Sequence, residues 1–313
     1  MRLIFMGNPD FAVPSLQALV KSGHIISAVV TGRDKPCGRG RRVAVSPVKK
    51  TALDLGLRII QPVCLDSPDL SKELGALQAD LAVIAAFSIL PESLIHIPRL
   101  GSVNLHASLL PKYRGAAPIN WAIINGEQET GVTVFFIEKS VDTGKIIRQK
   151  NTAISPEDDF GCLYARLSKL GAEALLESVN SLEKGSTAGW SQDSTQATRA
   201  PKLKKHDGLI DWSLSCSRIH NKIRGLYPKP GSFCYYQGKR LEICKTGILD
   251  PDKAGMEPGC WTEKPQNSIF VNTGKGILEI LKVKPENRKE MSCDEFIRGY
   301  VKSPPYKFGD ENE

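Results

Sequence analysis

Three polar residues in two short segments have the types that proton transfer and charge stabilisation require. The run Gly101-Ser-Val-Asn-Leu-His106 places Asn104 and His106 two positions apart. Side chains two apart on a strand share a face, so an amide and an imidazole point to the same side. An amide can hold a developing oxyanion while a histidine moves a proton, a pairing that suits acyl transfer. The second segment, Val141-Asp142-Thr143-Gly144, follows an apolar run that ends at Ile137. Asp-Thr-Gly is in itself a good turn. Its carboxylate can also reach an imidazole that the fold brings to it, and fix the tautomer of the ring. Taken alone, the first piece reads more readily as a structural histidine and the second as a plain turn. They make a site only if two strand ends meet.

Other segments carry weaker signals. Met6-Gly7-Asn8-Pro9-Asp10 occupies a phosphate-loop position, but it lacks the GxGxxG spacing and Pro9 removes a backbone donor, so it reads as a structural turn. Gly274-Lys275-Gly276 lacks the rest of a Walker loop and reads as a hairpin turn. Neither GxSxG nor HExxH occurs. The eight cysteines form no CxxC pair and lie beside no histidine cluster, which argues against zinc and against a disulfide scaffold. No metal is expected, and most of the cysteines are expected to pack as small buried side chains.

The elements that must position these residues follow from hydrophobic periodicity. Apolar runs at Arg2–Met6, His24–Thr31, Leu81–Ala86 and Gly101–His106 alternate with helical patterns at 13–21 and from Pro47 to about Leu55. Such alternation predicts an α/β fold with a mainly parallel sheet covered on both faces, with sites past the carboxyl ends of strands. Residues 32–46 form a Gly- and Arg-rich loop without periodicity. Further on, 117–125 reads as a helix, 131–137 and 145–150 as strands, and 160–183 as a long amphipathic helix. A Ser-, Thr- and Gly-rich stretch marks a linker, and short strand-like segments at 231–236, 239–243, 268–271 and 276–283 then suggest a small barrel. The expected boundaries are a catalytic domain over 1–184, a linker over 185–204 and a second domain over 205–313.

Composition limits the function classes. With 313 residues, 41% hydrophobic and 24% charged, the chain is globular rather than disordered. No apolar run approaches the roughly 20 residues that span a bilayer, and the first residues lack a signal-peptide core. A cytoplasmic protein with no membrane partner is expected, by default a monomer. The formal net charge is +8, but residues 31–50 alone net +6 and residues 201–240 net +7, so the rest of the chain nets −5. Positive charge focused in this way suits a polyanionic partner.

The stretch Asn104-Leu-His-Ala-Ser-Leu-Leu-Pro-Lys-Tyr-Arg-Gly-Ala-Ala-Pro-Ile-Asn-Trp121, with Thr130-Gly-Val-Thr133 and Asp142-Thr-Gly144, resembles the formyltransferase family that uses 10-formyltetrahydrofolate. The likeness is closest to members that formylate a methionyl-tRNA, and it covers nearly the whole chain. Phe5-Met-Gly-Asn-Pro-Asp-Phe-Ala12 matches with Asn8 where Thr is usual. Lys35-Pro-Cys-Gly-Arg-Gly-Arg-Arg42 is similar to an inserted tRNA-contacting loop. Ala200-Pro-Lys-Leu-Lys-Lys205, Asp211-Trp212 and Asn221-Lys-Ile-Arg-Gly-Leu-Tyr-Pro-Lys-Pro-Gly231 match the second domain, with Lys229 where an aromatic is common.

The resemblance implies a Rossmann-like first domain, an OB-like second one and the catalytic set Asn104, His106 and Asp142. It implies folate contacts at Ala86, Phe87, Ser88 and Leu90 and at Ser108, Leu109, Leu110 and Pro111, with Phe87-Ser88 in place of the more usual Tyr-Gly. It implies tRNA contacts at Arg39, Arg41, Arg42, Lys202, Lys204 and Lys205, and an initiator methionyl-tRNA as acceptor. An alternative acceptor is a small amine such as an amino-sugar nucleotide, which would need neither the basic loop nor the Lys-rich junction. Whether His106 or a water held by Asp142 takes the first proton stays open.

Overall fold

The computed structural model describes residues 1–37, 42–253, 257–264, 268–301 and 306–309. In chain order the elements are β1 (Arg2–Gly7), α1 (Val13–Lys21), β2 (Ile25–Val30), β3 (Lys35–Cys37), β4 (Arg42–Ala44), α2 (Pro47–Asp54), β5 (Ile59–Ile60), α3 (Pro68–Ala76), β6 (Leu81–Ala85), α4 (Glu92–Ile95), β7 (Ser102–His106), β8 (Arg114–Gly115) and α5 (Pro118–Ile124). They continue with β9 (Glu129–Phe136), β10 (Ile146–Ala153), α6 (Phe160–Glu183), β11 (Arg199–Ala200), α7 (Cys216–Leu226), β12 (Ser232–Tyr236), β13 (Lys239–Asp250), β14 (Trp261–Lys264), β15 (Ser268–Asn272), β16 (Ile277–Pro285), β17 (Met291–Ser292) and α8 (Cys293–Tyr300). Two compact units result. One comprises residues 1–118, 129–153 and 164–200, the other 119–128, 154–163 and 201–313.

The first unit is built on a sheet of order β10-β9-β7-β6-β1-β2-β5. Its pairs are parallel except where β9 runs against β7 and β10. The central strands are apolar on both faces, Leu3, Ile4 and Phe5 in β1 and Leu81 to Ala85 in β6 all being buried, as a sheet covered on two sides requires. Strand order reverses between β1 and β6, and β7 lies one strand beyond, so its carboxyl end opens at the crevice such sheets offer to ligands. The loop over 32–46 is not wholly irregular: β3 and β4 pair antiparallel at its base, with Cys37 opposite Arg42. Hairpin pairing of three-residue strands leaves no amphipathic period to detect.

The second unit holds an antiparallel sheet of order β12-β13-β16-β15-β14. Residues 306–309 close it. Gly309 exchanges backbone hydrogen bonds with Tyr235 on one edge strand, while the Trp261 N–H on the other edge donates to the Tyr306 carbonyl at 2.8 Å. The barrel interior is filled by Trp212, Tyr236, Trp261, Phe296 and Phe308. Two helices here escaped a strand-only reading. In α7 the Ser215 hydroxyl accepts from the Arg218 N–H, and Ile219, Ile223 and Leu226 fall at helical spacing and are buried. Gly274-Lys275-Gly276 does turn the chain from β15 into β16. Cys216, Cys234, Cys244 and Cys293 are buried as expected, but Cys64 and Cys162 are exposed.

His220 on α7 sits within this unit with its Nδ1 2.9 Å from the Thr246 hydroxyl. Burial lowers its pKa from 6.5, and the Arg224 charge adds to the effect. A depressed folded-state value means that the unfolded chain binds the extra proton first. The stabilising contribution is therefore complete above pH 6.5 and is lost as pH falls through the folded value. Replacement of His220 by Gln should shrink the fall in Tm between pH 7.5 and 5.5, as read by calorimetry. Parallel curves for the two proteins would show that His220 does not titrate against folding.

Candidate active site

The site is assembled where β7 ends. Asn104 pairs with Ile84 of β6 and Phe135 of β9, and His106 with Thr133 of β9, so both side chains stand on a strand held from two sides. Asn104 is half-buried, and among the described residues no hydrogen bond engages its amide. His106 is buried to 6% exposure, with its Nε2 2.8 Å from the Tyr113 carbonyl. A carbonyl only accepts, so Nε2 carries the proton and donates. In the neutral ring the lone pair then lies on Nδ1.

Asp142 approaches that Nδ1. Its Oδ2 lies 3.7 Å away, beyond direct hydrogen-bond distance, and accepts from the Gly115 N–H at 2.9 Å. Asp142 has φ +56°, a conformation in which its turn aims the carboxylate back at the ring. The contact that fixes the tautomer is therefore the Tyr113 carbonyl, which sequence reasoning did not single out, since any residue supplies a carbonyl. Gly115 has φ +123°, and a Cβ there would lie 2.7 Å from the Ala200 carbonyl oxygen, so only glycine lets the backbone bring its N–H to Asp142.

The loop after β7 is held by Thr133. Its hydroxyl donates to the Ser108 carbonyl at 2.6 Å and accepts from the Leu110 N–H at 3.0 Å. The Gln149 amide donates to the Leu110 carbonyl at 2.8 Å. Ser108 is fully buried and its own hydroxyl donates to the Lys112 carbonyl, so it shapes the loop, while Leu109 and Pro111 are partly exposed and Leu110 is buried. In the loop after β6, Ala86 has φ +48° and is exposed with Ser88, whereas Phe87 and Leu90 pack onto the core beneath. The loop after β6 thus offers exposed residues above an apolar floor, and the loop after β7 only partly exposed ones.

The basic residues are placed less completely. Arg39 and Arg41 lie outside the described residues, and Arg42 is described through its backbone in β4. Lys202, Lys204 and Lys205 are exposed in the second unit. At the base of the basic loop the Asn8 side chain accepts from the Gly32 N–H at 2.7 Å and from the Thr31 hydroxyl at 3.1 Å. Lys49, counted in the basic run, is paired with Asp34 at 2.6 Å. Its hydrogen bond, with that of Gln61, holds the Asp34 carboxyl below the usual range. Among the described residues no helix is long and apolar enough to cross a membrane, and no cluster of three His, Cys, Asp or Glu side chains is placed to hold a metal.

Comparison with known proteins places the chain in a family. Residues 1–179 match the model of the formyl transferase family and residues 202–301 that of the formyl transferase C-terminal domain. The chain is 43% identical over 302 residues to the methionyl-tRNA formyltransferase of Caldanaerobacter subterraneus subsp. tengcongensis, covering 96% of this chain and 97% of that one. It is 44% identical over 298 residues to the methionyl-tRNA formyltransferase of Thermodesulfovibrio yellowstonii, covering 95% of each. Among solved structures, the N-formyltransferase of Helicobacter canadensis in complex with folinic acid and dTDP-3-aminofucose shares the fold, with a TM-score of 0.68 at 19% identity over 92% of this chain and 99% of that one. The family match over both parts, joined to full-length likeness to curated relatives, leads to one conclusion: the chain belongs to the formyl transferase family.

Proposed function

We propose that this protein transfers a formyl group from 10-formyltetrahydrofolate to the amino group of an initiator methionyl-tRNA, giving N-formylmethionyl-tRNA for translation initiation. The observation that carries the reading is the likeness to methionyl-tRNA formyltransferases along nearly the full length of both chains. We place the catalytic domain over 1–184, a linker over 185–204 and a tRNA-binding domain over 205–313. The protein is proposed to act as a cytoplasmic monomer.

The chemistry follows from the site. The amine attacks the formyl carbon, a tetrahedral oxyanion forms, and N10 of the folate leaves with a proton. Asn104, whose side-chain amide has no partner among the described residues, donates to the oxyanion. Nδ1 of His106 and the Asp142 carboxylate stand 3.7 Å apart as two acceptors for a proton donor that approaches the pair from the side. The attacking amine is such a group. Asp142 then stabilises the charge that the imidazole acquires, and His106 returns the proton to N10. Folate lies against residues Ala86 to Leu90 and Ser108 to Pro111.

The tRNA acceptor arm is read largely through its phosphates by Arg39, Arg41, Arg42, Lys202, Lys204 and Lys205. Replacing Arg39 and Arg41 with Ala should raise the KM for tRNA about tenfold, the effect of losing about 1.4 kcal/mol of contact, and leave the KM for folate within twofold. Equal changes in both constants would remove the loop from tRNA recognition. The test of the function itself is incubation with 10-formyltetrahydrofolate and methionyl-tRNA while N-formylmethionyl-tRNA is followed. Transfer to a dTDP-amino-sugar with none to methionyl-tRNA would keep the chemistry and change the acceptor.

A further inference from the structure

Gln192 lies in a stretch without sequence pattern, yet it makes contacts around the aspartate turn. Its Nε2 donates to the Asp142 carbonyl at 2.9 Å and to the Gly144 carbonyl at 2.8 Å. Its Oε1 accepts from Arg114, at 2.6 Å from Nη2 and 3.3 Å from Nε. Arg114 stands between Tyr113, whose carbonyl holds His106, and Gly115, whose N–H holds Asp142. That short segment is itself strapped by residues 198–200. The Tyr113 N–H donates to the Thr198 hydroxyl at 2.8 Å, the Arg114 N–H to the Thr198 carbonyl at 2.9 Å and the Ala116 N–H to the Ala200 carbonyl at 2.9 Å. The strap begins at Trp190, which exchanges two 2.8 Å backbone hydrogen bonds with Ile146 just past the turn.

We propose that Gln192 and Arg114 are positioning residues for formyl transfer, a bracket that fixes the Asp142 turn and the two His106 and Asp142 supports in one register. The proposal rests on Asp142 acting in the reaction. The chemical case is stoichiometric. An amide offers two N–H groups for two turn carbonyls and one oxygen for the guanidinium, and both the turn and Arg114 use the whole of it. Neither residue reaches the reacting atoms. Both act through Asp142, whose carboxylate would otherwise be oriented by the Gly115 N–H and its own positive-φ turn. A displacement of about 1 Å at a reacting group costs on the order of 100-fold in rate.

The test is a double-mutant cycle between Gln192→Ala and Asp142→Asn, with steady-state kinetics of methionyl-tRNA formylation and melting of each variant. Gln192→Ala is expected to lower kcat about 10- to 100-fold, with the KM for folate within twofold and Tm nearly unchanged. In the Asp142→Asn background the same change should cost less than twofold. Gln192→Glu keeps an acceptor for Arg114 but has no N–H for the two carbonyls, and it should be no better than Gln192→Ala. Additive losses in the cycle, or full activity in Gln192→Glu, would overturn the proposal. Should Gln192→Ala melt early, the milder Gln192→Asn takes its place, and the ¹⁵N imidazole resonances of His106 give a second readout. Those resonances should shift in the variant, and an unmoved ring would also overturn the bracket. If wild-type protein formylated only a small amine, the acceptor assignment would fall. The cycle run with that amine would still judge Gln192.

Discussion

His106→Ala is expected to abolish most formyl transfer, lowering kcat by about 10²- to 10⁴-fold. The imidazole is the group placed to accept a proton from the attacking amine. It is buried, its Nε2 is committed to the Tyr113 carbonyl, and its Nδ1 faces Asp142. Truncation removes the proton carrier and leaves that carboxylate held by the Gly115 N–H alone, facing no imidazole. Asn104→Ala should cost about 10²- to 10³-fold, as the loss of one oxyanion donor does. Because Asn104 and His106 serve the same tetrahedral intermediate, the double variant should lose far less than the product of the two factors. Folate affinity, measured by quenching of intrinsic fluorescence, should stay within a few-fold in each, since the proposed folate contacts lie on other loops. A His106→Ala enzyme retaining more than a tenth of wild-type turnover would remove His106 from the mechanism.

The second large effect is expected at a residue with no functional group. A Cβ on Gly144 would lie 1.7 Å from the Phe136 carbonyl oxygen and 2.8 Å from its carbon. Both are backbone atoms of β9, which is paired on two sides and cannot yield cheaply. The turn must move instead, by about 1 Å or more if carbon and oxygen are to regain normal separation. Asp142 lies two residues before Gly144 and would move with it. Gly144→Ala should therefore reduce kcat about 100-fold while destabilising the protein by only about 1–3 kcal/mol, the range for overpacking. Gly75 in α3 is the control. A Cβ there would meet no atom within 4 Å, so alanine should leave activity intact and add about 0.5–1 kcal/mol of stability. Single-turnover rates and calorimetry of the pair would separate the cases. A Gly144→Ala kcat within twofold of wild type would show that the Asp142 turn tolerates displacement.

The sequence made much of this site legible, for physical reasons that differ from residue to residue. Asn104 and His106 were readable because a strand alternates faces with a period of two, and an apolar run ending at His106 is a strong strand signal. The long helix α6 and the first helix α1 were readable because amphipathic spacing persists over several turns. Asp142 was readable only as a turn beside a strand end, and its meeting with His106 needed a sheet in which β9 lies next to β7. The Tyr113 carbonyl and the Gly115 N–H were not readable, because backbone groups carry no residue identity. Gln192 was hidden for another reason: glutamine between serine and aspartate in a stretch without periodicity looks like solvated chain. The helices α7 and α8 were overlooked among β-like segments, although Ser215 and Ser292 each cap a helix in recognisable form.

The two halves of the site hang on supports of unequal durability. His106 belongs to a strand paired on both sides in the middle of the seven-stranded sheet, and its amide should exchange with deuterated solvent only when the whole first unit opens. The Asp142 turn is retained by the strap over residues 190–200, whose members are mostly exposed and whose hold consists of hydrogen bonds at the surface. Amides in that strap should exchange through small local openings, well before the sheet. Loss of activity on warming should then precede the calorimetric transition and reverse on cooling, because the aspartate can be released and recaptured while the sheet that carries the histidine stays intact.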